Sequence, residues 1–288
     1  SDTIPGSLGY FIGKIYSDSN AIIQQSVDTK GIVELNWGLR NSIEGITFIG
    51  GATQVSVANP NQPDTELFLS KVQFRGNHAA PAIYMSNVTG IMTANILSDR
   101  CLFNNVYQVY SGTTGVRAEF KNGWINEAYT GTTNRALFIN GVGGGLELDG
   151  MMGVPDSTGS SGVSSRWVDN YGYFKAISTR FGAEGGGLGS IVWNYTTMPS
   201  TTPWMGGGAV TIRDSQISAS LGKVIHCVTG IPSQIDLQNN VYLYNQTNPI
   251  ITMDFHVAAY INSLNANNRI YVHIINNETS NSSSDRGN

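Results

Sequence analysis

The 288-residue chain carries 16 Lys and Arg against 20 Asp and Glu, a net charge of −4, with only 12% charged residues. A sequence pI near 5.5 with no basic stripe argues against a nucleic-acid partner, and no apolar run approaches the ~18 residues of a membrane span. The 34 Gly and 28 Asn, with abundant Ser and Thr, disfavour helices, while frequent aromatic and β-branched residues argue against disorder.

In chain order, residues 1–42 read as an N-terminal coil or cap, within which Ala21 to Gly31 reads as a corner. A repeat then begins at Gly45-Ile46-Thr47-Phe48. It returns as Lys71-Val72-Gln73-Phe74, Arg100-Cys101-Leu102-Phe103, Asn122-Gly123-Trp124-Ile125, Ser178-Thr179-Arg180-Phe181, Asp214-Ser215-Gln216-Ile217 and Asn239-Asn240-Val241-Tyr242. Each copy ends on a large apolar residue, and Met152 fits the gap between Ile125 and Phe181. The intervals are 26, 29, 22, 27, 29, 36 and 25 residues. Before most copies stands an apolar strand, a small polar corner and a Gly, as in Val109 to Gly115 and Leu137 to Gly144. After the Gly comes strict alternation, as in Val116-x-Ala118-x-Phe120, Leu146-x-Leu148 and Val210-x-Ile212. Period two with one apolar face is a half-buried strand.

Strand, corner, strand, corner at 22–36 residues predicts an all-β fold: a right-handed, single-stranded parallel β-helix of eight or nine coils. Its main coils span 43–245 and a last coil 246–275, so that one domain covers 1–275; 276–288 read as a polar tail or linker. Val154 to Ser165, and Ala183 to Gly189 followed by Thr196 to Gly208, read as loops inserted at corners, where function tends to ride on a rigid scaffold. Neither terminus reads as a capping helix. The ends of the solenoid are therefore expected to be covered by other chains or by further modules of a longer protein. Cys101 and Cys227 sit in apolar stretches and read as core packing.

The repeated coils from Ile46 to Tyr242, the low charge and the Gly-rich segment Arg180-Phe181-Gly182-Ala183-Glu184-Gly185-Gly186-Gly187 together resemble the β-helix domain of bacteriophage tailspikes. The resemblance implies a homotrimer in the virion, joined to other phage tail proteins. It also implies binding of bacterial surface polysaccharide, capsule or O-antigen, often with endo-glycosidase or lyase activity.

A glycosidase needs two carboxylates, ~5–5.5 Å apart for retention or ~6.5–9.5 Å for inversion. Glu147 and Asp149 flank inward Leu148 and are expected to point outward, ~7 Å apart along the strand. Asp214 is expected in the column of Asp149 two coils on, with Ser178 between them, and Glu184 lies in the Gly-rich loop of the intervening coil. Glu184, Asp149, Asp214 and Glu147 are therefore the candidate catalytic group, although an outward Asp or Glu on a strand is most often solvated surface. Trp124, Trp193 and Tyr195 are candidate platforms for sugar rings; Arg180 and Arg213, with Arg117, would suit an acidic polymer. His78, His226, His256 and His273 are scattered without ligand spacing, and no nucleotide-binding motif occurs, so neither metal nor cofactor is expected. Two other classes remain open: a non-enzymatic fibre or adhesin, and a secreted polysaccharide lyase.

Overall fold

The computed structural model describes residues 12–35, 40–57, 65–86, 94–128, 136–153, 166–182, 190–195, 208–217, 223–229, 234–242, 251–253 and 271–279. These form a parallel β-helix with strands on three faces. A front sheet of 18 strands runs as two side-by-side columns, and a back sheet holds nine strands. Every strand pairing is parallel, coil upon coil. The first column contains Thr65–Ser70, Ala94–Asp99, Val116–Lys121, Gly145–Asp149, Tyr173–Ile177, Ala209–Arg213, Gln234–Gln238 and Tyr271–Ile275, headed by the long strands Ile12–Gln25 and Arg40–Gly50. That makes ten rungs, slightly more than the eight or nine coils expected. The stacking also runs on through Glu278–Thr279, which pairs with Val241–Tyr242 beyond the expected domain boundary at 275.

Alternation places the core. In Val116–Lys121 the side chains of Val116, Ala118 and Phe120 are buried, while Arg117, Glu119 and Lys121 face out. The apolar landmarks stack one on the next in the second column: Phe48 on Phe74, Phe74 on Phe103, Phe103 on Ile125, and Phe181 on Ile217. The first coil extends this ladder, because Ile23 pairs with Phe48. Ala21 to Gly31 therefore begins as strand rather than as a corner.

One rung departs from the expected register. The residue aligned with Ile125 and Phe181 is Gly153, and Met152 points outward between Trp124 and Arg180. A slip of one residue exchanges the two faces of a strand. The cause lies across the core. The aromatic chain runs Phe74, Phe103, Phe120, Phe138, Trp167, Phe181, with ring centroids 4.9–6.4 Å apart. It leaves the second column, crosses to the back sheet, and returns through Trp167. The indole occupies the place of the missing side chain: a Cβ on Gly153 would stand 2.8 Å from its Cη2 atom and 3.0 Å from Ile125 Cβ.

Between the two front columns each coil bends on one residue in the left-handed region. These are Asn20, Gly45, Lys71, Arg100, Asn122, Gly150, Ser178, Asp214, Asn239 and Asn276. Most are Asn or Gly, which adopt that conformation most readily. From Lys71 through Asn239 each donates its backbone N–H to a carbonyl of the next coil at 2.9–3.1 Å, so the bend keeps the ladder intact. Inside this corner the lining changes along the molecule. Val72, Cys101 and Met151 are apolar, whereas Thr179, Ser215, Asn240 and Asn277 form a hydrogen-bonded ladder at 3.1 Å per step. Cys101 is core packing as expected, and burial pushes its thiol pKa up to about 11. Cys227 pairs through its backbone with Asn194.

Two substitutions test this packing. Gly153→Ala is expected to lower stability by ~1–3 kcal/mol through overpacking against Trp167, read as a reduced urea midpoint. Tyr110 is fully buried with its hydroxyl unpartnered among the described residues. Tyr110→Phe removes that unsatisfied group and is expected to raise stability by ~1 kcal/mol, read as a higher midpoint in the same assay.

Candidate binding groove on the front sheet

The outward face of the first column is organised in rows, because parallel register places position over position. One row runs Arg40, Glu66, Asn95, Arg117, Gly145, Tyr173. The next runs Phe68, Leu97, Glu119, Glu147, Lys175, Thr211, Asp236, His273. The third includes Asp99, Lys121, Asp149, Ile177 and Arg213. Over the middle of this face lies a groove of about 650 Å³. Glu66, Phe68, Asn95, Arg117, Glu147 and Tyr173 are among the residues lining it. It crosses five rungs, which at strand spacing is ~20 Å, long enough for an oligosaccharide rather than a single sugar. Gly143, Gly144 and Gly145 line it on the side of the corner that leads in from the back sheet.

The carboxylates of the groove come with counter-ions. Glu66 meets Arg40 at 2.9 Å, Glu119 meets Lys121 at 2.6 Å and Glu147 meets Lys175 at 2.7 Å. Glu119 and Glu147 hold the pKa values of Lys121 and Lys175 above the ordinary value by accepting those hydrogen bonds. Glu119 and Glu147 are direct register partners one rung apart, so two like charges would face each other at ~4.8 Å without the lysines. Tyr173 and Phe68 expose their rings, at 44% and 39%. Among the described residues no group of three or more His, Cys, Asp or Glu could hold a metal ion.

The residues expected from sequence are only partly brought together. Glu147 lines the groove, and Asp149 is on the same strand two positions on. Asp214 is not in the column of Asp149: that column holds Ile177 and Arg213. Asp214 is instead the left-handed corner residue, in line with Gly150 and Ser178, and accepts a 2.9 Å hydrogen bond from Asn239 Nδ2. Inward Ile212 is in register with Ala176 and Leu148, so alternation along the strand puts Arg213, one residue on, over Asp149, while Asp214 stands two residues on. Glu184 lies outside the described residues. Trp124 faces out as expected, 44% exposed, and stacks in one row with Met152 and Arg180 on the second column. Arg213 is tied to the buried Asp236 through both Nη2 and Nε, the latter at 3.2 Å, and His273 approaches the same carboxylate at 3.3 Å.

Trp193 and Tyr195 are elsewhere. Both lie on Ser190–Tyr195 of the back sheet. The Arg166 guanidinium lies 4.0 Å from the Trp193 ring centroid, and Tyr195 stacks on Tyr171 at 4.5 Å. Arg166 is in turn held in a buried ion pair by Asp169, whose pKa is raised because burial outweighs the pair. "Outward" on a three-faced coil is three directions, and sequence phase alone does not separate them. Tyr173 and Gly145 were not singled out from sequence. Their signal was present: both open strands directly after Gly-containing corners, in register with outward Arg117.

Fold and groove together define a parallel β-helix with a multi-rung cleft on its front sheet. No family model matches the chain, and no curated protein matches it. Among solved structures it is similar to a pectin methylesterase from Yersinia enterocolitica, at 12% identity over 99% of this chain and 90% of that one, with a TM-score of 0.46. A likeness at that level concerns the general fold and carries no argument about the site.

The Glu147–Lys175 pair is half-buried, so its expected contribution is small. Glu147→Gln should lower stability by under ~1 kcal/mol, read as the urea midpoint against the unmodified protein. A larger loss would make the pair a structural element rather than part of a ligand-binding face.

Proposed function

We propose that the chain is a polysaccharide-binding β-helix of the bacteriophage tailspike kind, acting in the virion as a homotrimer alongside other tail proteins. The observation that carries the binding reading is the groove: a cleft spanning five rungs, with exposed rings at Phe68 and Tyr173 and polar side chains between them. Apolar sugar faces pack on rings, and the polar groups of a rigid sheet fix orientation with little conformational entropy lost on binding. The spike, the trimer and the bacterial surface polymer rest on the coil pattern and the Gly-rich segment of the sequence.

Depolymerisation is a second reading, favoured by the direct register of Glu119 and Glu147. Their ~4.8 Å rung spacing is near the ~5–5.5 Å carboxylate separation of a retaining glycosidase. In such a reaction one glutamate, as carboxylate, would attack the anomeric carbon. The other, having taken a proton from solvent once substrate displaces its lysine, would give that proton to the departing oxygen. Water deprotonated by this second glutamate would then hydrolyse the glycosyl-enzyme and restore both groups.

Both readings are tested by incubating the protein with capsular and O-antigen polysaccharides from candidate hosts. Retention of polymer on immobilised protein is expected, and Tyr173→Ala should weaken it about tenfold. Shortened chains by size-exclusion chromatography, abolished by Glu147→Gln while retention persists, would establish hydrolysis. Retention unaffected by Tyr173→Ala would place any binding elsewhere, and unchanged chain length on a retained polymer would leave a binding protein only.

A further inference from the structure

The charge pattern of the groove points to the chemistry of its ligand. Along the first column of the front sheet the cations are matched to carboxylates: Lys14 to Glu44, Arg40 to Glu66, Lys121 to Glu119, Lys175 to Glu147 and Arg213 to Asp236. Arg117 breaks the pattern. It is exposed, lines the groove, and makes no ion pair or hydrogen bond among the described residues. The three glutamates of the lining are each neutralised by their own partner, so the uncompensated charge of the cleft is that one guanidinium.

Its neighbours give the position a shape. Arg117, Gly145 and Tyr173 occupy the same row on three successive rungs. The middle member has no side chain, so a notch separates the guanidinium from the phenol ring, with the flanking Cα atoms ~9.6 Å apart. The wall beside the notch is open too, since a Cβ on Gly143 would meet nothing within 4 Å. Glycine at 145 is not required by the backbone. A Cβ there would lie 3.7 Å from Arg117 Cγ, an ordinary contact, and the residue is not in the left-handed region. The notch therefore has room that the fold itself does not need.

Resting on the groove as the saccharide site, we infer that it selects an anionic polysaccharide. An acidic sugar residue seats in the Gly145 notch, its ring face against Tyr173 and its anionic group on Arg117. A carboxylate or sulfate presents two oxygens to the planar guanidinium, which can donate two parallel hydrogen bonds. A neutral sugar would leave the one unpaired charge among the described lining residues of the cleft without a partner.

The test uses matched probes differing in charge: oligogalacturonate against its methyl ester, hyaluronan against its carboxyl-reduced form, and dextran sulfate against dextran. Binding by microcalorimetry is expected for acidic members and not for their neutral counterparts, weakening as salt rises. Comparison of the carboxylated and sulfated arms identifies which anion the notch takes. Arg117→Gln should weaken acidic binding about 10–100-fold, the range for a charge-assisted contact. Gly145→Val, which fills the notch with a residue suited to a strand, should do the same without lowering the melting temperature. Equal binding of both members of a pair, with Tyr173→Ala still weakening it, would overturn the anionic inference and leave the groove as a saccharide site. Binding of no probe, neutral or acidic, would overturn both.

Discussion

Everything in this molecule answers to one spacing. Strands in a parallel sheet lie ~4.8 Å apart, and a solenoid must keep that separation at every position of every coil. An inward residue thus has an inward residue directly above and below it, and their volumes must agree. Phe48, Phe74 and Phe103 satisfy the constraint simply, by stacking like on like. Gly153 satisfies it indirectly, by yielding its place to an indole from another face. A small residue in a ladder of large ones is then neither a void nor an error; its volume has moved across the core to Trp167.

The same spacing governs polar groups. Corners cannot leave backbone donors unpaired inside a stack, so the left-handed residues continue the ladder while turning the chain. The polar side chains inside follow suit. Asn140, Asn170 and Asn194 pass hydrogen bonds of 2.7–2.8 Å from coil to coil at the back-to-front corner, each step pairing a buried amide N–H with the amide oxygen of the next coil. On the outside the rule becomes a hazard, because charges of one sign also stack. Glu119 over Glu147 would repel, and the lysines two residues along the strand and one rung on relieve it. The ion pairs of the front sheet are thus first a consequence of stacking, which makes a cation left out of the pattern informative.

How much of this was readable in the sequence depends on whether a feature is periodic. The landmarks from Phe48 to Tyr242 were legible because burial imposes a recurring large apolar residue, and their register holds on every rung but one. The exception, Met152 for Gly153, was illegible because the compensating Trp167 is on another strand. The phase of outward residues was legible within a strand and lost across a corner. Asn and Gly announce left-handed bends at Asn122, Gly150 and Asn239, whereas Lys71, Arg100 and Asp214 adopt the same conformation with no such signature. Asp214, two residues after inward Ile212, lies in line with Gly150 rather than with Asp149, whose column continues through Ile177 and Arg213. Trp193 and Tyr195 were grouped with the front-sheet carboxylates because a one-dimensional pattern says that a residue faces out, and not which of three faces it is on.

The position of the groove follows from the corner beside it. Where the chain passes from the back sheet to the front, backbones come close enough to exclude side chains: a Cβ on Gly172 would stand 2.2 Å from the carbonyl oxygen of Gly144, and one on Gly144 2.6 Å from that of Val116. Those glycines are imposed by stacking, but a corner without side chains also raises no wall. The row of Arg117, Gly145 and Tyr173 lies directly beyond it, open from that side. The solenoid thus acquires an accessible strip along its front edge as a by-product of close coil packing. What makes the strip selective is then decided by few residues: the rings that flank it, the glycine that notches it, and the single guanidinium that stacking did not require to be paired.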